Sequence, residues 1–249
     1  MELDCGVVKY MKDTNKAFHI ACNSGHANIV HVLIEKSAEL KIDLNGQIFR
    51  RTVFHFACEK GNFNIAELLV QKSAEFNIDL NIRSGYLNRT AFQLACCNGH
   101  SKIVEMLIKS SNEVRIDLNA KTDTEGFTAL HLACFNGHSD VAIILFQNSK
   151  KYKIRLNNKN KCGFTAFHLA CSNNHSKIAD YLMEKSVEFN IDLNSKCNKG
   201  RTPFHLACNS GHSEIVKIMI QNSAKTKIDL NDQSGSVTTT KPTFLFVVK

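Results

Sequence analysis

Apolar residues return along this chain in a fixed rhythm. A short cluster of the form Phe/Leu-x-apolar-Ala-Cys occurs six times, at residues 18–22, 54–58, 92–96, 130–134, 167–171 and 204–208. A longer stretch with helical apolar spacing follows each cluster, and the tetrapeptide IDLN or IRLN closes it at Asn45, Asn81, Asn119, Asn157, Asn194 and Asn231. From each cluster cysteine to the next such Asn is always 23 residues, whereas the step from Asn to the next cysteine varies from 13 to 15. Insertions are thus confined to one connecting segment of each unit.

The fixed segment predicts two antiparallel helices. In the fourth unit, Leu130, Leu132 and Ala133 share one side of a short helix, Thr128 stands where an N-cap belongs, and Gly137 can end the helix in a left-handed conformation. Val141, Ile144 and Leu145 then recur at helical spacing in a second helix. The variable segment, NAKTDTEGFT at 119–128, is rich in turn formers and predicts a turn or β-hairpin, where length changes cost little. The units run 15–45, 46–81, 82–119, 120–157, 158–194 and 195–231. Residues 1–14 read as a partial repeat or cap, and 232–249 as an irregular tail.

Composition changes this picture little. The chain has 249 residues, two prolines, 43% hydrophobic residues and a net charge of +8. No apolar run approaches the roughly 18 residues of a membrane span, and the N-terminus lacks the pattern of a signal peptide. Ten cysteines without a secretory signal place the protein in a reducing compartment, the cytosol or nucleus.

The candidate chemistry lies in the motif itself. TALHLACFNGH (128–138) sets His131 and Cys134 three apart on one helix face, a combination that activates thiols or binds zinc. Repetition argues for packing instead. Five histidines (19, 55, 131, 168, 205) occupy the slot after Phe or Leu, five (26, 100, 138, 175, 212) the slot between the helices, and only His31 lies outside. A catalytic pair is needed once, but a packing solution is needed in every unit. Zinc requires four donors within about 2.3 Å, and neighbouring helices lie about 8–10 Å apart. That spacing also exceeds the roughly 7 Å limit between disulfide-linked Cα atoms. Cys5, Cys97, Cys162 and Cys197 lie outside the motif slot and read as surface thiols. P-loop, nucleophile-elbow and zincin signatures are absent, so no enzyme, metal or cofactor is expected.

The motif T-A-L-H-L-A, followed by N-G-H, an apolar second helix and D-L-N, resembles the ankyrin repeat, and TPFHLA at 202–207 is the closest copy. The resemblance covers roughly residues 15–231. It implies an all-α solenoid of helix-turn-helix repeats joined by β-hairpin or turn loops, structural histidines, and a concave partner-binding face built from hairpin tips and first helices. Some residues depart from the pattern. Lys16 stands for the first Thr, Gln93 for a His, and Asn174 for the inter-helix Gly. Where the family has G-A-D-V-N, this chain has S-A-E-F-N-I-D-L-N, four residues longer, with Ser37, Ser73, Ser110, Ser149, Ser186 or Ser223 in place of the stop glycine. Each second helix is therefore expected to run about one turn past the usual end. In the tail, Phe244, Leu245, Phe246, Val247 and Val248 form an apolar run that either folds back on repeat six or continues into a longer protein.

Register places Ile48, Phe49 and Arg51, then Tyr86, Leu87 and Arg89, then Phe127, Phe135 and Phe164 on the face that the resemblance assigns to partners. Exposed aromatics beside Arg resemble interface hot spots, and the alternative, foremost for Phe127 and Phe164, is that they tuck against the next hairpin. A second candidate is the basic run SKKYKIRLNNKNK, with Lys150, Lys151, Lys153, Arg155, Lys159 and Lys161 and no acid. The expected role is a monomeric, non-enzymatic protein-binding scaffold. The alternatives are a targeting segment of a larger regulatory protein, channel or enzyme, and basic-patch binding to an acidic surface; nucleic acid is the least favoured partner.

Overall fold

In the computed structural model, residues 5–85 and 87–232 are described, with side chains from residue 14 onward, and six helix pairs stack in chain order. Repeat one holds α1 (Cys5–Asn23), α2 (Ala27–Glu35) and the single turn α3 (Ser37–Leu40). Repeat two holds α4 (Val53–Lys60) and α5 (Phe63–Lys72). Strands β1 (Arg83–Ser84) and β2 (Arg89–Thr90) open repeat three, followed by α6 (Ala91–Cys97) and α7 (Ser101–Val114). Repeats four and five hold α8 (Ala129–Asn136) with α9 (Ser139–Tyr152), and α10 (Ala166–Ser172) with α11 (Ser176–Glu184). Repeat six holds α12 (Pro203–Asn209) and α13 (Ser213–Thr226). First helices pack on first helices and second on second, giving two layers. Among the described residues, the one two-stranded sheet pairs Arg83 with Thr90 and Ser84 with Arg89. An isolated bridge joins Ile48 to Arg51, and the other connections are hydrogen-bonded turns.

From repeat two onward each first helix is short because its start and stop are built in. The side chains of Thr52, Thr90, Thr128, Thr165 and Thr202 each accept the amide three residues on, and the His or Gln there accepts the Thr amide in return. These boxes satisfy two amides that the helix leaves orphaned. Repeat one lacks the box: Lys16 supplies no capping oxygen, and α1 runs 19 residues through the place where the other repeats turn. The expected boundary between residues 14 and 15 therefore falls inside a helix. At the other end, Gly137 adopts φ +77, and Asn174 reaches the same region at φ +62. A Cβ at Gly137 would stand 2.5 Å from the His175 ring, so space as well as backbone angle demands glycine there.

The added turn is present in every repeat, but its form differs. The chain reverses only at Lys41, Asn77, Arg115, Lys153, Asn190 and Lys227, all left-handed with φ between 50° and 56°. In repeats three, four and six the second helix continues unbroken for 14 residues to this point. In repeats one, two and five the regular helix ends at Glu35, Lys72 and Glu184, and looser turns follow, so a uniformly longer helix is a correction. The three early endings have Lys36, Lys72 or Lys185 before the serine, paired with an acid three residues on at 2.9, 3.0 and 3.5 Å. The three unbroken helices have Ser110, Asn148 or Asn222 there. The buried serine of repeat three is accordingly Ser111, not Ser110: its Oγ donates to the Ile108 carbonyl at 2.7 Å, as Ser73, Ser149 and Ser186 do to theirs.

The landmark asparagines tie one repeat to the next. Asn119 Nδ2 donates to the carbonyl of Lys153 (3.0 Å), and its Oδ1 accepts the Arg155 amide (2.8 Å). Asn45, Asn81, Asn157 and Asn194 make the same pair of bonds, and Asn15 of α1 supplies the first rung by accepting the Asp43 amide. One amide side chain thus fills both a donor and an acceptor of the following loop.

Two apolar clusters result. The main core lies between the layers and is lined by Ala and Cys of the first helices, small residues that let those helices approach closely. A smaller one, of Phe127, Leu132, Phe164, Leu169, Cys197 and Leu206, lies under the hairpins. Cys197 is buried there and is not the surface thiol expected. In the end repeats, Ile29 (51% exposed) and Ile220 (51%) occupy slots that Ile103 (1%) and Ile108 (0%) fill within repeat three. The apolar run 244–248 lies outside the described residues.

Candidate functional site

The motif that first suggests chemistry has none to spare. His131 Nδ1 accepts the Thr128 amide (3.2 Å), which places the ring proton on Nε2, and Nε2 meets the Phe164 carbonyl of the next hairpin at 2.9 Å. His168 repeats this arrangement toward the Arg201 carbonyl (3.1 Å). Gln93 does the same toward Ala120 (2.8 Å) and Phe127 (3.1 Å). His55 faces the Ile82 and Arg89 carbonyls without closing a bond of good geometry. Burial holds His55, His131 and His168 down to a pKa of about 4, so the rings stay neutral. Burial likewise pushes the Cys22 thiol up to about 12 and raises Cys58, Cys96, Cys134 and Cys171. At His131 and His168 both ring nitrogens are engaged, and a protonated thiol beside such a neutral imidazole is no nucleophile. The second histidine slot closes helix ends: Nε2 of His100, His138, His175 and His212 meets carbonyls of the preceding first helix at 2.8–2.9 Å, and Asn62 Nδ2 substitutes in repeat two. Among the described residues, no three His, Cys, Asp or Glu side chains gather as metal ligands.

The structure sorts the expected partner-binding residues by depth. Phe49 is 88% exposed at a two-residue turn. Ile48 and Leu87 are half-buried beside their tips, and Tyr86 lies outside the described residues. Phe127 (0% exposed) and Phe164 (8%) are core, which corrects their assignment to the binding face. In repeats two, three and four the residue before the capping Thr closes its hairpin and turns inward, over the residue eight positions later on its own first helix. Arg51 Nη1 meets Glu59 Oε2 at 2.5 Å, Arg89 Nη1 donates to Cys97 Sγ at 3.3 Å, and the Phe127 and Phe135 rings lie 6.1 Å apart. Phe127 also stacks on His131 at 5.7 Å. Burying such a ring stabilises the fold by about 2–3 kcal/mol. Arg51 and Arg89 are thus half-buried positioning groups, and Phe135 is half-exposed on the Phe127 ring.

The basic run does not form one patch. Lys150 and Lys151 end α9, with their ammonium groups over the Phe189 (5.9 Å) and Tyr152 (5.0 Å) rings. Lys153 and Arg155 lie in the loop clamped by Asn119. Only Lys159 and Lys161 reach the hairpin edge, where they meet Lys121, a residue 38 positions from Lys159 and absent from the sequence reading. There Arg83, Lys121 and Lys159 each donate to the carbonyl of the next cation along, at 2.8, 3.0 and 2.8 Å, ending at Lys196 beside Asp232 (2.8 Å). The signal was present as a cation two residues after Asn81, Asn119, Asn157 and Asn194.

The charge is one-sided. The second helices and their loops (27–45, 63–81, 101–119, 139–157, 176–194 and 213–231) hold 15 basic and 16 acidic residues. The hairpins and first helices of repeats two to six (46–62, 82–100, 120–138, 158–175 and 195–212) hold 11 and 3. The net positive charge of the described repeats therefore sits on the hairpin face. No helix among the described residues is long and apolar enough to cross a membrane.

A search of curated proteins finds no match to the chain. The family model for ankyrin repeats matches it in three copies, at residues 3–83, 76–158 and 150–233. Each copy spans about two of the helix pairs described above, and together they cover nearly all of the stacked array. The chain belongs to the ankyrin-repeat family.

Proposed function

We propose that this protein is a recognition scaffold that engages a protein partner through its hairpin tips and the exposed side of its first helices, in a reducing compartment. Ankyrin repeats are in general protein-interaction modules, and the stack here presents a preorganised face that loses little entropy on binding.

The turn at Phe49 carries the reading. Phe49 (φ 52°) and Arg50 (φ 60°) are consecutive left-handed residues in a two-residue turn that favours Asn-Gly. Backbone strain is accepted there, yet the Phe49 ring gains almost no burial in return. An exposed aromatic held rigidly beside Arg50, on the basic face, is the anchor expected of an interface.

The test is to pan a displayed peptide library against the full chain and measure the selected binders on variants. Phe49→Ala should weaken them at least tenfold while the melting temperature moves by no more than about 1 °C. Binders indifferent to both Phe49→Ala and Phe135→Ala would place recognition elsewhere.

A further inference from the structure

Between the hairpins of repeats four and five lies a cleft of about 410 Å³, lined by Lys121, Thr122, Asp123, Gly126, Lys159, Asn160 and Lys161. We propose that it seats a phosphorylated side chain, phosphoserine or phosphothreonine, of a protein partner. This inference builds on the reading of the hairpin face as protein-binding and names the chemistry of what binds.

Charge is the first argument. Lys121, Lys159 and Lys161 are exposed around the cleft. The acid in its wall, Asp123, is already met by Arg83 (2.7 Å) and by the Asn88 amide. Lys121 and Lys161 bond across the cleft and are left for a ligand, while the Lys159 ammonium turns to the Lys196 carbonyl of the next repeat. A phosphoryl group, with about −1.5 to −2 charges and three strong acceptor oxygens, answers them better than a single carboxylate. Each ammonium carries three donors, and Lys121, Lys159 and Lys161 each place one on a backbone carbonyl.

Asn160 is the second and independent argument. It is 6% exposed, and its Oδ1 accepts the amides of Cys162 (3.0 Å) and Phe164 (2.8 Å), which fixes the orientation of the side chain. Its Nδ2 is a buried donor with no acceptor. Buried donors are rarely left in this state, and each one calls for a partner. The same hairpin slot holds Ser84, Thr122 and Cys197 in repeats three, four and six, none of which carries an amide. Asn160 lines the cleft, its amide lacks an acceptor, and the ammonium groups of Lys121 and Lys161 bond across the same space, a combination that suits an anion rich in acceptors.

The experiment uses the full chain, labelled with ¹⁵N, and four probes: an acetyl-Gly-phosphoSer-Gly-amide peptide, the same peptide with Glu, inorganic phosphate, and a single-stranded 12-nucleotide DNA. The phosphopeptide is expected to shift the Asn160 side-chain amide signals and the backbone signals of residues 121–126 and 159–163. It should bind at least tenfold more tightly than the Glu peptide and be displaced by phosphate. Lys121→Ala and Lys161→Ala should each weaken it fivefold or more. Asn160→Asp keeps acceptors for the Cys162 and Phe164 amides but removes the donor, so it should weaken binding tenfold at an unchanged melting temperature. Lys199→Ala, outside the cleft, should change nothing. An unmoved Asn160 amide, shifts spread evenly over all lysines, equal affinity for the Glu peptide, or tighter binding of the DNA would each overturn the proposal. Failure of the phosphopeptide while library-selected binders still depend on Phe49 would remove this inference and leave the protein-binding reading standing.

Discussion

The two flanks of each repeat obey different rules. On the loop flank, the same Asn makes the same two bonds across five successive junctions, a left-handed residue stops the chain six times at the same place, and charges nearly cancel. On the hairpin flank, each repeat differs. One tip carries an exposed Phe in a strained turn, the next a two-stranded ladder, and the fourth and fifth a basic cleft. Repetition on one flank holds the stack, which frees the other to vary.

The buried capping histidines give the sharpest way to break this division, because they belong to the repeated machinery yet titrate. Their folded pKa of about 4 lies below the ordinary value of about 6.5. Their contribution is therefore fully present above pH 6.5 and is lost as pH falls toward 4, while the unfolded chain takes up protons that the folded chain refuses. Each such histidine steepens the loss by about 1.4 kcal/mol per pH unit, and three by about 4. Urea titrations at pH 7, 6 and 5 should show this slope, and the triple His→Gln variant at 55, 131 and 168 should flatten it.

A single substitution tests the same machinery more gently. His131→Ala strands the Thr128 amide and the Phe164 carbonyl in the interior and leaves a cavity, at a cost of about 3 kcal/mol. His131→Gln should cost under about 1 kcal/mol, because Gln93 already makes the equivalent bonds in repeat three. Equal losses in chemical denaturation would mean that ring packing, not capping, is what the slot supplies.

The hairpin flank should respond with the opposite sign. Replacing Phe49-Arg50 by Asn-Gly relieves two left-handed non-glycine residues and should stabilise the fold by about 1 kcal/mol, read from the denaturation midpoint, while library-selected binders are lost. Destabilisation by this change would show that Phe49 packs in the fold after all.

Much of this was legible before any coordinates. The repeat number, the pairing of two helices in each unit, the Thr caps and the structural role of His131 and Cys134 follow from the repetition of the motif. What the sequence left open depends on direction in space. Phe127 and Phe164 occupy a register that fits either a tip or a tuck against the next hairpin, and the backbone of the closing hairpin turns them inward. The landmark Asn was visible as a fixed point, yet nothing local shows that its amide reaches across 34 residues to the next loop. Arg155, where the other repeats have Asp, was a hint: the Asp could change, whereas the Asn was present every time. Lys121 was missed because it joins Lys159 and Lys161 only after the repeats stack.

The division of labour is tested most directly by one paired measurement, melting temperature and binder affinity on the same two variants of the full chain. Asn119→Ala removes two bonds between repeats three and four and should lower the melting temperature by several degrees, about 2–4 °C per kcal/mol lost, with binder affinity unchanged. Phe49→Ala combined with Arg50→Ala should leave the melting temperature in place or raise it, and weaken binding at least tenfold. If each variant moved both quantities together, the flanks would not be separate and the account would fail.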